Sequence, residues 1–213
     1  METSRTFRPT PVTARDKLLE AAVKLVRAQG FAGTSVDQLC AEAGVTKGAF
    51  FHHFASKEAL GVAAADYWSS STGSFFDGAP YHAHPDPLDR VLGYIDFRLS
   101  LLDGAPEQFS CVAGTMVQEA FRSSPAIREA CRASIDGNAT KVEADIDEAM
   151  ELHSVHGVSA MSLSLHIQAV LQGSFVLAKA HGGPEIACEN VAHLKRYFEM
   201  LFRRDESQKT TKQ

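Results

Sequence analysis

Helix-capping residues recur at short intervals over the first sixty residues, and this constrains the fold more than any other feature of the chain. Thr13 stands three residues before Asp16, and Thr34 and Ser35 stand three residues before Asp37 and Gln38. In each case a hydroxyl can accept from an otherwise unpaired amide while the later side chain reaches back to the cap. Thr46 and Ser56 supply two further caps. A first helix is therefore expected from Thr13, with Leu18, Leu19, Ala22, Val23, Leu25 and Val26 on one side and Gly30 at its end. A short second helix runs through Val36, Leu39, Cys40 and Ala43 and stops at Gly44. A third runs from the Thr46 cap through Phe54, and a fourth follows Ser56.

Two short helices joined by Ala43-Gly44-Val45 form a helix-turn-helix, which lays its second helix into the major groove of DNA. Gly44 permits the reversal, Cys40 is small enough for the crossing, and Phe50 and Phe54 tie the third helix to the bundle. Thr46, Lys47, Gly48, Ala49, His52 and His53 are thereby left to face outward. Charge follows the same division. Residues 1–60 hold eight Lys and Arg against six Asp and Glu, and the remainder holds thirteen against twenty, so the net charge of −5 resolves into +2 and −7. The asymmetry favours an N-terminal contact with a polyanion but is too small to establish one.

The run Thr46-Lys47-Gly48-Ala49-Phe50-Phe51-His52-His53-Phe54-Ala55-Ser56-Lys57-Glu58-Ala59-Leu60 resembles the signature stretch of TetR-family regulators. Residues 13–60 as a whole, with Gly30-Phe31 and Thr34-Ser35-Val36, resemble that family's DNA-binding domain. The resemblance implies that Thr34 or Ser35 and Lys57 meet phosphates. It also implies that Thr46, Lys47, Gly48, Ala49, His52 and His53 lie near base edges or backbone. Most members carry Tyr where this chain has Phe51. A phosphate-bonding hydroxyl is thus replaced by an apolar contact to sugar or a thymine methyl.

Beyond Ser56 the chain reads as helical, punctuated at residues 79–87 and at Gly104-Ala105-Pro106, Ser123-Ser124-Pro125 and Gly182-Gly183-Pro184. Pro125 and Pro184 suit helix starts, where a missing amide costs nothing. The fold expected is all-α: a three-helix DNA-binding domain over residues 13–60 and a helical effector-binding and dimerisation domain over residues 61–204. A flexible arm (1–12) and a polar tail (205–213) flank them. A homodimer is expected, as the resemblance implies for the last two long helices. The helix from Ser159 to Ala180 is apolar nearly all round, and the next carries an apolar stripe. Leu163, Ile167, Val170, Leu171, Val191, Leu194, Phe198 and Leu201 are expected on the intersubunit face. Trp68, Phe97, Cys111, Met116, Phe121 and Phe175 are expected to line a pocket for a moderately apolar small-molecule effector.

Several function classes find no support. No apolar stretch or cleavage site follows the basic residues Arg5 to Arg8, and no uninterrupted apolar run approaches the roughly eighteen residues of a bilayer span, so a cytoplasmic protein without membrane attachment is expected. Cys40, Cys111, Cys131 and Cys188 are far apart and fit neither a disulfide framework nor a zinc knuckle. No nucleophile motif, phosphate loop or paired carboxylate suggests an enzyme. His153 and His156 share a predicted helix with Glu151, and His82 and His84 flank an alanine, but no second ligand cluster supports either pair, so no metal or cofactor is expected. The functional expectation is a repressor released by an effector from inverted-repeat operator DNA. A redox or electrophile sensor acting through Cys111, and an effector-independent architectural DNA-binding factor, stand as alternatives.

Overall fold

Thr13 opens the first helix as its spacing requires, its hydroxyl accepting from the Asp16 amide at 3.2 Å while the Asp16 carboxylate accepts from the Thr13 amide at 3.0 Å. The computed structural model describes residues 13–202, and the expectations for residues 1–12 and 205–213 lie outside them. The described chain forms α1 (Ala14–Gln29), α2 (Val36–Ala43), α3 (Lys47–His53), α4 (Lys57–Asp77), α5 (Pro87–Ser100), α6 (Pro106–Phe109), α7 (Val112–Ala120), α8 (Pro125–His153), α9 (Ala160–His181) and α10 (Glu185–Leu201). A single 3-10 turn, Pro80–Ala83, interrupts the first proline-rich loop, and the described residues contain no strand.

Ser35, not Thr34, caps α2. Its hydroxyl accepts from the Gln38 amide at 3.2 Å and its own amide donates to Gln38 Oε1 at 2.8 Å. Gly44 then takes the left-handed conformation, φ 63° and ψ 39°, that a side-chain-bearing residue rarely adopts. The Val45 amide closes the turn on the Cys40 carbonyl at 2.9 Å. Thr46 and Ser56 cap α3 and α4 through the Ala49 and Ala59 amides. His153 is the last residue of α8, because Ser154 turns left-handed at φ 57°. His156 therefore lies beyond the helix expected to hold it together with His153.

Two hydrophobic cores result. The smaller gathers Leu18, Leu19 and Ala22 of α1, Leu39 and Cys40 of α2, Phe50 and Phe54, and Leu60 and Ala64 of α4. The larger is built around α8, which packs on α4, α5, α7 and α9, while α10 covers α5 and α9. Val26 of α1 and Ala65 and Phe76 of α4 belong to this second core. Both helices thus run from one core into the other, and a division at residue 60 falls inside α4.

The stripe expected to meet a second subunit points inward instead. Leu163, Ile167, Leu171, Val191, Leu194 and Phe198 are each at most 3% exposed within one protomer, and Val170 and Leu201 pack half-buried against the same core. A helix that is apolar all round leaves its periodicity silent about which side faces its own body. The large apolar residues still exposed on α9 and α10 are Leu165, Val176, Leu177, Tyr197 and Met200. With 22 residues and an 18-residue window of mean hydropathy 1.3, α9 has the length and composition of a bilayer span, but its inner face is core.

Phe50 is fully buried where α1, α2 and α3 meet. Phe50→Ala is expected to cost about 3–5 kcal/mol, read as a lowered midpoint in urea unfolding. A loss below about 1 kcal/mol would mean that α3 is not held by this core.

Candidate nucleic-acid interface and adjoining cleft

Burial of Phe50 and Phe54 fixes which side of α3 faces outward. Thr46, Lys47, Gly48 and His52 are exposed, Ala49 and His53 are half-exposed, and Phe51 is 57% exposed with its ring edge-on to Phe50. The structure therefore gathers the outward-facing residues expected from the sequence into one surface. A Cβ added at Gly48 would meet nothing nearer than Thr46 Oγ1 at 3.7 Å, so packing within the protein does not explain its missing side chain. Lys47 Nζ pairs with Asp37 Oδ1 of α2 at 2.6 Å, which favours the charged ammonium and raises its pKa. Both groups are well exposed, so the pair is readily exchanged for another anion.

Two residues expected near phosphate are occupied elsewhere in this conformation. The Thr34 hydroxyl is 2% exposed and donates to the Gly30 carbonyl at 2.7 Å. The Lys57 ammonium donates to the carbonyls of Phe31 and Thr34, both at 2.8 Å, and stands 4.5 Å from the Phe31 ring centroid. Burial pulls its pKa down, partly offset by Glu119. Of the three residues expected near phosphate, this leaves Ser35 exposed at the start of α2.

The turn that Lys57 braces is also held from the larger domain. Glu119 of α7 accepts from the Ala32 amide at 2.6 Å. Gly30, at φ 83°, makes room for it, since a Cβ there would lie 2.1 Å from Glu119 Oε1. Ser124 adds a second tie by donating to the Glu58 carboxylate. Arg27, in the last turn of α1, lays its guanidinium 5.1 Å from the Trp68 ring centroid of α4. Glu119, Arg27 and Glu58 were not picked out from the sequence, because exposed-looking charges on helices give no sign of a partner on another domain.

Glu119 also borders a cleft of about 220 Å³ formed with Ser110, Cys111, Gln172, Phe175 and Lys179. Cys111, Gln172 and Phe175 are shared with a smaller adjoining hollow of about 40 Å³, whose walls include Trp68, Arg98, Phe109 and Gln168. Of the six residues expected to line an effector pocket, Trp68, Cys111 and Phe175 come together here. Met116 is fully buried core, Phe97 joins an aromatic cluster with Phe75, Phe76 and Tyr81, and Phe121 is 49% exposed on the surface. None of these three lines either hollow. Gln168 and Gln172 carried a usable signal, two amides four residues apart interrupting the apolar run of α9. Among the described residues no group of three or more metal-ligating side chains is brought together.

Comparison with known proteins agrees with this geometry. A family model described as bacterial regulatory proteins, tetR family, matches residues 18–64. The chain is 37% identical over 54 residues to the uncharacterized HTH-type transcriptional regulator YerO of Bacillus subtilis, covering 25% of this chain and 19% of that protein. The chain thus spans about a fifth of the length of YerO. It is 25% identical over 175 residues to the HTH-type transcriptional repressor NemR of Escherichia coli, covering 76% of this chain and 86% of NemR. The crystal structure of reduced NemR superposes with a TM-score of 0.71 over 86% of this chain and 96% of that one, at 25% identity. A TetR transcriptional regulator from Chloroflexus aurantiacus gives a TM-score of 0.74 at 26% identity over 87% and 94%.

Because Lys57 satisfies two loop carbonyls, Lys57→Met is expected to lower stability by about 1–3 kcal/mol in urea unfolding. An unchanged unfolding curve accompanied by weaker binding to DNA would instead assign the ammonium to phosphate.

Proposed function

Given that the chain belongs to the TetR family of bacterial regulatory proteins, we propose that it is an effector-responsive repressor which binds an inverted-repeat operator as a homodimer. The observation that carries the DNA-binding part is the outward face of α3, where Gly48 has room for a side chain it lacks and Lys47 is charged and exchangeable. A groove-bound helix uses both properties: a small residue lets backbone approach the base edges, and a cation replaces condensed counterions on phosphate. Thr46, Ala49, His52 and His53 complete the reading surface, Phe51 offers an apolar contact, and Ser35 stands at the α2 terminus. Thr34 and Lys57 act indirectly, by shaping the α1–α2 turn.

The exposed side chains of α9 and α10, Leu165, Val176, Leu177, Tyr197 and Met200, favour that face as the intersubunit surface. A two-fold pairing there would present two copies of α3 to successive major grooves about 34–36 Å apart. Effector control follows from the position of Glu119, which borders the cleft and holds the Ala32 amide. A ligand that displaces Glu119 releases the turn between α1 and α2 and lets the reading heads shift. A coupling of about 1–3 kcal/mol changes operator affinity roughly 5–150-fold.

A second reading is favoured by Cys111, whose sulfur accepts from the Gly114 amide at 3.3 Å and borders the same cleft as Lys179. An electrophile or oxidant acting on this thiol would use the same route to the DNA-binding head. Cys111→Ser would then abolish release by an alkylating agent.

The test is titration of labelled DNA from around the protein's own gene, against a scrambled duplex, at several salt concentrations. The native duplex is expected to be preferred by about 10³-fold or more, and Lys47→Ala combined with His52→Ala to remove that preference. Equal binding to both duplexes at low salt only would favour an architectural role, and no binding to any DNA would overturn the proposal.

A further inference from the structure

The arginines bordering the larger core are paired unequally. Arg90 of α5 is paired with Asp145 at 2.7 Å and with Glu148. Arg27 and Arg98, by contrast, have no carboxylate at ion-pair distance among the described residues. Nε and Nη2 of Arg27 are shielded from solvent without a hydrogen-bond partner. Arg98 rests on the rings of Phe76 and Tyr94, 4.8 and 5.8 Å from their centroids, and borders the inner hollow. Aromatic faces stabilise a guanidinium but satisfy none of its in-plane N–H groups.

Two neutral donors bordering these hollows share the deficit of Arg27. Gln168 is 4% exposed and borders the inner hollow, and its Nε2 donor has no partner. At the neighbouring outer cleft the Ser110 hydroxyl, 1% exposed, is also unpartnered. A buried donor left unmade costs about 1–3 kcal/mol, so the unpartnered Gln168 amide, on a wall it shares with Arg98, is expected to meet an acceptor in the hollow. The surplus is of cationic and N–H donors, and the walls are the aromatic rings of Trp68, Phe109 and Phe175.

We propose that the inner end of the cleft binds the carboxylate of a small aryl or arylalkyl acid. Arg98 and the Gln168 amide hold the carboxylate, Arg27 supplies compensating charge from the Trp68 side, and the apolar body extends past Phe175 toward the outer cleft. A carboxylate matches the planar guanidinium edge, and the modest hollow selects small acids. The inference rests on the effector-responsive reading for its regulatory meaning but not for its chemistry.

Trp68 is the chain's single tryptophan and forms part of the wall, so its fluorescence reports the site directly. Purified full-length protein is titrated with benzoate, phenylacetate and 3-phenylpropionate, and in parallel with their neutral amides. At least one acid is expected to saturate with Kd below about 1 mM and to bind about tenfold or more tightly than its amide. Arg98→Met should erase the preference for acid over amide, with thermal melting verifying that the variant is folded. Gln168→Leu, which changes no charge, should weaken the acid several-fold.

Equal binding of acid and amide, or no saturation by any of the three acids, would overturn the site. Operator release by a neutral or cationic compound, with no acid bound, would overturn it while leaving the effector-responsive reading in place. Acid binding that leaves operator affinity unchanged would support the site and count against the effector reading.

Discussion

Everything in this molecule hangs on two helices that are each shared between two hydrophobic cores. The first half of α1 closes the small core with Leu18, Leu19 and Ala22, and its last turns place Val26 in the large one and Arg27 on Trp68. Helix α4 does the same, with Leu60 and Ala64 on one side of the division and Ala65 and Phe76 on the other. Neither core can shift without carrying a rigid rod into its neighbour, because well-packed interiors transmit displacement and do not absorb it. This makes the structure suited to conveying an event in the body to the surface of α3.

The turn between α1 and α2 is tied to both sides of that arrangement. Its carbonyls are held by Lys57 from below, and its Ala32 amide is held by Glu119 from the large domain. These are charge-assisted bonds to backbone, stronger than neutral ones and sensitive to any competing charge. Glu119 also borders the cleft, so one carboxylate joins the cleft wall to the α1–α2 turn. On the proposed effector response, the reciprocity of linkage requires that DNA binding alter the cleft's affinity as much as a cleft ligand alters DNA binding.

What could be read from the sequence was what local chemistry decides. The caps at Thr13, Thr46 and Ser56, the glycine turn at Gly44 and the inward Phe50 and Phe54 all depend on neighbours within a few residues, and each took its expected place. Choosing between Thr34 and Ser35 required knowing that Thr34 turns back to Gly30. The inner and outer sides of α9 could not be told apart, because Leu163 and Leu165 look alike in sequence while one is buried and the other 41% exposed. The cleft was legible only in part. Trp68, Cys111 and Phe175 converge as expected, but Arg98, Glu119 and Gln168 come from three different helices, and their meeting is a product of packing.

The most direct test of this coupling is amide hydrogen exchange on the protein free and bound to its operator, resolved along the chain. Protection is expected over α2 and α3, together with altered exchange at the Ala32 turn and through α7, whose Glu119 reaches that turn. Protection confined to α2 and α3, with α7 and the turn unchanged, would mean that the reading head acts independently of the cleft and would contradict the account.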